Sequence, residues 1–291
     1  MAAIVPKYTV RKATGADIGP IKTLTNAEDW QIPLGFLQCV FDMDSKAWFV
    51  AESDTGEIIG VRVCIFFNAN TAEGGLYVVR KDLTGKGIGR AVNRHCLTAV
   101  SDANITLSAT VVSHGFTFYY DVHQRRGPVE VLLATIPEIG TTPGVTIVCY
   151  EEATFTELKA YDETICESER EYFFRNWIIM HAKYVLIARS RAGRVVGYGC
   201  LRTTEYCNEI APLYADSDAI AWALLKELLQ YLDPKEAVQM HIVAENKTMM
   251  KNIGQAPLTN VVTLHKMYTK VQVPQKLEQL YSLTVVGLCV V

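Results

Sequence analysis

Leu83-Thr84-Gly85-Lys86-Gly87-Ile88-Gly89-Arg90 joins a strand-like run, Leu76-Tyr77-Val78-Val79, to a stretch whose apolar residues recur at Ile88, Val92, Cys96 and Val100. That four-residue recurrence predicts a helix with one buried face. Three glycines alternate across the junction, so the backbone can come close to a ligand and turn its N–H groups outward. A helix start adds unpaired donors and a partial positive charge, which suits a phosphate or pyrophosphate. Lys86 and Arg90 bring two full positive charges to the same place. The string lacks the Gly-x4-Gly-Lys-Ser/Thr of a Walker loop. It also departs from the Gly-x-Gly-x-x-Gly dinucleotide fingerprint, because Arg90 stands where the third glycine belongs and no βαβ pattern is read around it. A solvated Gly-Lys-Gly turn is the plain alternative, and context has to decide.

The chain has 291 residues, 49% of them hydrophobic and 20% charged, which suits two domains with substantial cores and argues against disorder. A formal net charge of -3 without a long basic run points away from nucleic acid and anionic membrane as partners. The apolar stretch 283–291 is too short to span a bilayer. Residues 1–7 lack the basic start and apolar core of a secretory signal. Eight cysteines are scattered singly, with neither Cys-x-x-Cys nor His-Glu-x-x-His, and are expected to be reduced, mostly buried thiols of a cytoplasmic protein without a metal site.

An internal repeat divides the sequence. Phe49-Val50-Ala51-Glu52-Ser53-Asp54-Thr55-Gly56-Glu57-Ile58-Ile59-Gly60 matches Leu186-Ile187-Ala188-Arg189-Ser190-Arg191-Ala192-Gly193-Arg194-Val195-Val196-Gly197 without gaps, at an offset of 137 positions from Gly56 to Gly193. Each copy predicts two antiparallel strands around a glycine turn. Helical stretches precede it in both halves (16–27 and 35–40, then 155–165 and 169–179), and a strand and a helix follow. The late helix of the second half, 218–232, keeps Ile220, Leu224, Leu228 and Leu232 in register, ahead of a strand at 238–243 and a short helix at 247–252. The segment 137–143 is the expected boundary between domains 1–138 and 145–291. The fold class is α/β, with each domain a mixed, mostly antiparallel sheet flanked by helices.

The loop and the repeat together resemble the GNAT acyltransferase superfamily in its tandem two-domain form. That family's coenzyme A loop reads Arg/Gln-x-x-Gly-x-Gly/Ala, and Thr84 stands where it has Arg or Gln. Ser113-His114-Gly115-Phe116-Thr117-Phe118-Tyr119-Tyr120 falls in the place of the family's Asn-x-x-Ala-x-x-Leu-Tyr helix, with Ser113 for the asparagine. Glu28-Asp29-Trp30, Tyr161-Asp162 and Glu169-Arg170 continue the likeness. The resemblance implies acetyl-CoA as cosubstrate, no metal, and direct attack of a primary amine on the thioester. A small-molecule amine is the expected acceptor. A protein lysine or N-terminus, or a non-catalytic acyl-CoA-binding protein, are the alternatives. Oligomeric state is not legible.

The resemblance also distributes roles. Backbone groups of Val78 and Val79 would meet the thioester and pantetheine. Thr84, Gly85, Lys86, Gly87, Ile88, Gly89 and Arg90 would hold the pyrophosphate. Tyr120 is either the acid that protonates the departing thiolate or a core aromatic, with Tyr119 next in line. Glu73 is either a base for the amine or a solvated strand-start carboxylate, and Gly74-Gly75 invites a bulge that would reverse its facing. Trp30 is either a wall of the acceptor pocket or a core anchor. Arg125-Arg126 is either a contact to the coenzyme ribose phosphate or a hairpin tip. In the second half, Pro212-Leu213-Tyr214-Ala215-Asp216-Ser217-Asp218 replaces the glycine loop. Proline removes a donor, and Asp216 or Asp218 would cap the helix where an anion would sit. One acyl-CoA site, in the first half, is therefore expected.

Overall fold

Alternation along the strands decides which helix each face meets. In the computed structural model, which describes residues 6–66, 68, 70–113, 115–138, 144–166 and 170–284, the chain divides into two compact units, 1–107 and 108–291. The first comprises β1 (Tyr8–Lys12), α1 (Ile18–Ala27), α2 (Leu34–Met43), β2 (Ala47–Ser53), β3 (Ile58–Phe66), β4 (Thr71–Val79), α3 (Ile88–Ala99) and β5 (Asn104–Ala109), with strand order β1-β2-β3-β4-β5. Ala51 and Ile59 pack with Leu83, Ile88 and Val92 on the α3 side. Trp48, of opposite parity to Ala51, is fully buried and meets Phe41 of α2 edge-on at 5.2 Å.

β1 to β4 are antiparallel neighbours, but β4 and β5 run parallel, joined through α3. The glycine loop thus lies inside a βαβ unit, contrary to the sequence expectation. Parallel pairing between β4 and β5 needs a crossover, and α3 supplies it.

The second unit repeats this plan. It contains β6 (Thr117–Pro128), α4 (Val129–Thr135), β7 (Val145–Cys149), α5 (Phe155–Cys166), α6 (Glu171–Phe173) running on as a π-helix over Phe174–Ile179, β8 (Tyr184–Ser190), β9 (Val195–Thr203), β10 (Asn208–Ala215), α7 (Asp218–Leu229), β11 (Ala237–Val243), α8 (Lys247–Asn252), β12 (Thr259–Tyr268) and β13 (Leu280–Ser282). Its strand order is β12-β6-β11-β10-β9-β8-β7, with β13 beside β10. The matched hairpins are β2–β3 and β8–β9. In each, the closing glycine lets the following helix approach: a Cβ on Gly60 would lie 3.1 Å from Ile88, and one on Gly197 would lie 2.9 Å from Ile220.

One sequence expectation is corrected here. The segment holding Tyr119 and Tyr120 is not a helix but the start of β6, which pairs antiparallel with β11 from Val122 to Pro128 and with β12 from Thr117 to Arg126. Val129 and Leu132 of α4 belong to the core built around α7. β6 and α4 thus take their backbone and apolar partners from the later sheet, and by contact the compact units part at 107/108. Residues 139–143 of the expected boundary, Glu169, and 285–291 of the late apolar stretch lie outside the described residues.

On the face of the second sheet opposite α7, Asp162 and Arg170 form a fully buried pair with contacts of 2.7 and 2.8 Å, and the Tyr198 hydroxyl donates to Asp162 at 2.5 Å. Removing one partner strands the other charge in a dry core. Asp162→Ala should cost about 3–5 kcal/mol of unfolding free energy by urea titration, and a loss below about 1 kcal/mol would show that water reaches the pair.

Candidate functional site

β4 and β5 share only a short ladder. Thr71 to Gly74 pair with Asn104 to Leu107, and beyond Gly74 the two strands part. Within β4, Leu76 and Tyr77 stand opposite the single residue Arg62, and Leu76 adopts φ +48°. This is a β-bulge, displaced from the expected Gly74-Gly75. Arg62 holds it: its guanidinium donates to the Gly75 carbonyl at 3.1 Å and lies 5.4 Å from the centre of the Tyr77 ring. The strand therefore leaves the ladder with Val78 and Val79 still bonded to β3 on one side and without a β5 residue on the other.

α3 begins beside that open edge. Its N-cap is Gly87, in the left-handed region at φ +89°, and no side chain caps the first turn. The first helical bond runs from Ala91 N–H to Gly87 O at 3.0 Å, so the N–H groups of Ile88, Gly89 and Arg90 have no intrahelical acceptor. Gly85 is also left-handed, at φ +78°. A Cβ on Gly89 would lie 2.9 Å from the Tyr77 hydroxyl.

Together these features enclose a cleft of about 490 Å³ lined by Glu28, Trp30, Tyr77, Val78, Val79, Thr84, Gly85, Gly87, Gly89 and Arg90. The structure thus gathers eight of the residues singled out from sequence. Two loop residues stand apart. Ile88 is fully buried in the α3 core, leaving only its backbone to face outward, and Lys86 is exposed outside the lining with its N–H turned back to the Leu83 carbonyl at 3.3 Å. Trp30 is half-buried and lines the cleft rather than anchoring the core.

The remaining candidates lie elsewhere. Glu73 is 2% exposed, so the solvated reading fails, and it does not line the cleft. Tyr120 is fully buried on β6, where its hydroxyl donates to Gln275 at 3.0 Å and its ring meets Tyr119. The helical register that carried its role over from the family is absent. Arg125 and Arg126 sit within β6, not at a hairpin tip, and donate to the Ala256 carbonyl and to Gln239. Glu28 and Tyr77 were not assigned to the cleft from sequence. Only their neighbours Trp30 and Val78 pointed there. Among the described residues, no cluster of metal-ligating side chains occurs, and no helix is long and apolar enough to cross a membrane.

The second unit has the same geometry, filled. β10 and β11 share only Asn208–Val238 and Glu209–Gln239 before they part. Into the gap comes β13, pairing Ser282 with Leu213 and Leu280 with Tyr214. Ser282 donates its hydroxyl to the Ile210 carbonyl and accepts the His241 N–H, and Leu283 N–H meets the His241 carbonyl. At the helix start the N-cap is Ser217 and makes no side-chain cap bond, which corrects the expected aspartate cap. Both carboxylates are nevertheless there: Asp216 accepts from Tyr161 at 2.9 Å, and Asp218 accepts from Tyr281 and Thr248 at 2.7 Å each. Negative charge opposes an anion at that end.

Comparison with known proteins agrees with this fold. A family model described as "Acetyltransferase (GNAT) family" matches residues 17–126, and one described as "Acetyltransferase (GNAT) domain" matches residues 158–282. No curated protein matches the sequence. Among solved structures, a provisionally assigned acetyltransferase of Pyrococcus horikoshii is 19% identical, with a TM-score of 0.72 over 98% of this chain and 97% of that one. A tandem GNAT protein from the clavulanic acid biosynthesis pathway is 14% identical, with a TM-score of 0.64 over 90% and 97%. Saccharomyces cerevisiae N-myristoyltransferase, 8% identical, gives 0.67 over 98% and 87%. At such identities the likeness is one of fold.

The left-handed N-cap gives a direct test of the loop. Gly87→Ala should destabilise the protein by about 1–2 kcal/mol in chemical denaturation, since a Cβ is strained at that φ although the space around it is open. An unchanged midpoint would mean that the loop relaxes freely into another conformation.

Proposed function

Because the chain belongs to the GNAT acetyltransferase superfamily and carries two of its domains in tandem, so that it is an acyltransferase, we propose that it transfers the acetyl group of acetyl-CoA to the primary amine of a small molecule, at a single site in the first unit. The observation that carries this reading is the cleft itself, which unites the open edge at Val78 and Val79 with the uncapped start of α3. An extended pantetheine arm needs such an edge, and a diphosphate needs such donors. A volume of about 490 Å³ suits a cosubstrate arm and a small acceptor better than a folded polypeptide. In the second unit, β13 and the Asp218 carboxylate fill the corresponding places, which supports one site per chain.

The chemistry is a direct displacement. A neutral amine attacks the thioester carbonyl carbon, the C–N bond forms and the C–S bond breaks. The nitrogen loses one proton and the departing thiolate gains one, giving the amide and free coenzyme thiol. Backbone N–H groups at the β4 edge are the proposed donors to the oxyanion. Glu73 is the proposed acceptor of the amine proton through an intervening group, since it does not itself line the cleft. Tyr120 is tested as the thiolate's acid against its packing role, which the Gln275 bond favours.

Release of coenzyme thiol from acetyl-CoA should appear on addition of an amine from a small-molecule panel, and binding without release from any amine would make the protein a non-catalytic acyl-CoA binder. Tyr120→Phe should retain activity within a fewfold if the residue only packs. A loss of about 100-fold or more in kcat would assign it the acid role. Glu73→Gln should lower kcat and shift the pH profile if the carboxylate takes the proton, and an unchanged profile removes it.

A further inference from the structure

Once the glycine loop and Val78–Val79 are assigned to the cosubstrate, two of the cleft's polar or aromatic side chains remain that α1 and its following loop supply: Glu28 and Trp30. Both are held in place. The Glu28 Oε1 accepts the Lys81 N–H at 2.7 Å, which ties the end of α1 to the lead-in of the glycine loop. Asp29 takes φ +61°, and Trp30 N–H returns to the Thr25 carbonyl at 2.9 Å. Lys22 Nζ donates to the Ile32 carbonyl, closing the turn from the far side. The backbone of this turn is thereby fixed in a conformation that a non-glycine residue seldom adopts, and both Glu28 and Trp30 line the one cleft.

We infer that Glu28 and Trp30 form the subsite for the acceptor's ammonium group, and that the acceptor is a cationic amine carrying no carboxylate beside its nitrogen. The inference rests on the acetyl-CoA reading of the same cleft. A carboxylate and an aromatic face are the pair that recognises an ammonium, by charge and by the ring quadrupole. Among the described lining residues, Arg90 is the one cationic side chain, and it sits in the first turn of α3 where the diphosphate goes. An amino acid acceptor would therefore set its carboxylate against Glu28 without a counter-charge. The subsite collects and orients the protonated amine, and a proton passes to solvent before attack, since only the neutral nitrogen is a nucleophile.

Glu28→Gln separates the two jobs of this residue, because the amide oxygen still accepts the Lys81 N–H while the charge is gone. Acetyl-CoA affinity is measured first, by titration calorimetry, on both proteins. KM and kcat follow for a primary arylalkylamine, an alkyl diamine, and the α-amino acid that carries the same side chain as the arylalkylamine. The expected result is an unchanged acetyl-CoA affinity with KM for the cationic amines raised about tenfold and kcat little altered. Trp30→Leu should raise the same KM values, and the native protein should prefer the arylalkylamine to its amino acid. An unchanged KM in Glu28→Gln, or a preference for the amino acid, overturns the inference while leaving acetyl-CoA binding standing. Failure of the native protein to bind acetyl-CoA overturns both.

Discussion

Two parallel strands that share a short ladder and then diverge leave one backbone edge without a strand partner, and the rest of the molecule is arranged around that edge. Buried main-chain N–H and C=O groups must find partners. In the first unit the divergence follows Gly74, and a bulge at Leu76 and Tyr77, held by Arg62, turns Val78 and Val79 toward the gap. In the second unit the same divergence follows Glu209, and β13 supplies the partners. The two copies thus differ at one edge, which β13 covers in the second and no strand pairs past Gly74 on the β5 side in the first.

Duplication also explains the two buried glutamates. Glu73 lies opposite Ile65, and Glu209 lies opposite Arg202, the position 137 residues later. In the second unit the carboxylate is neutralised by Arg202 at 3.4 Å and accepts from Gln239 at 2.7 Å, the arrangement of a structural ion pair. In the first unit an apolar isoleucine faces it instead. The same strand position thus carries a buried glutamate in both units, beside Arg202 in the second and opposite Ile65 in the first.

Much of this was legible because it depends on local pattern. Glycine alternation announced the loop, and the fourfold spacing from Ile88 announced α3. The 137-residue offset revealed the two hairpins, and the string from Pro212 to Asp218 showed that the second copy starts its helix among carboxylates instead of glycines. What escaped depends on long-range pairing. Thr117 to Tyr120 is aromatic and β-branched enough to be a strand, yet the family register suggested a helix. Only its ladders with β11 and β12 decide the matter. Those ladders also carry β6 and α4 into the later unit, a choice no composition shift records. Glu28 escaped because what places it beside the glycine loop is a bond to Lys81, 53 residues away in sequence.

Amide hydrogen exchange, followed with and without acetyl-CoA, tests the central claim most directly, since it reads the backbone donors themselves. The account predicts slowed exchange over residues 76–79 and 85–90, with residues 213–220 and 280–283 unchanged. Protection that appears beside Pro212 and α7, or none at the glycine loop, would contradict it.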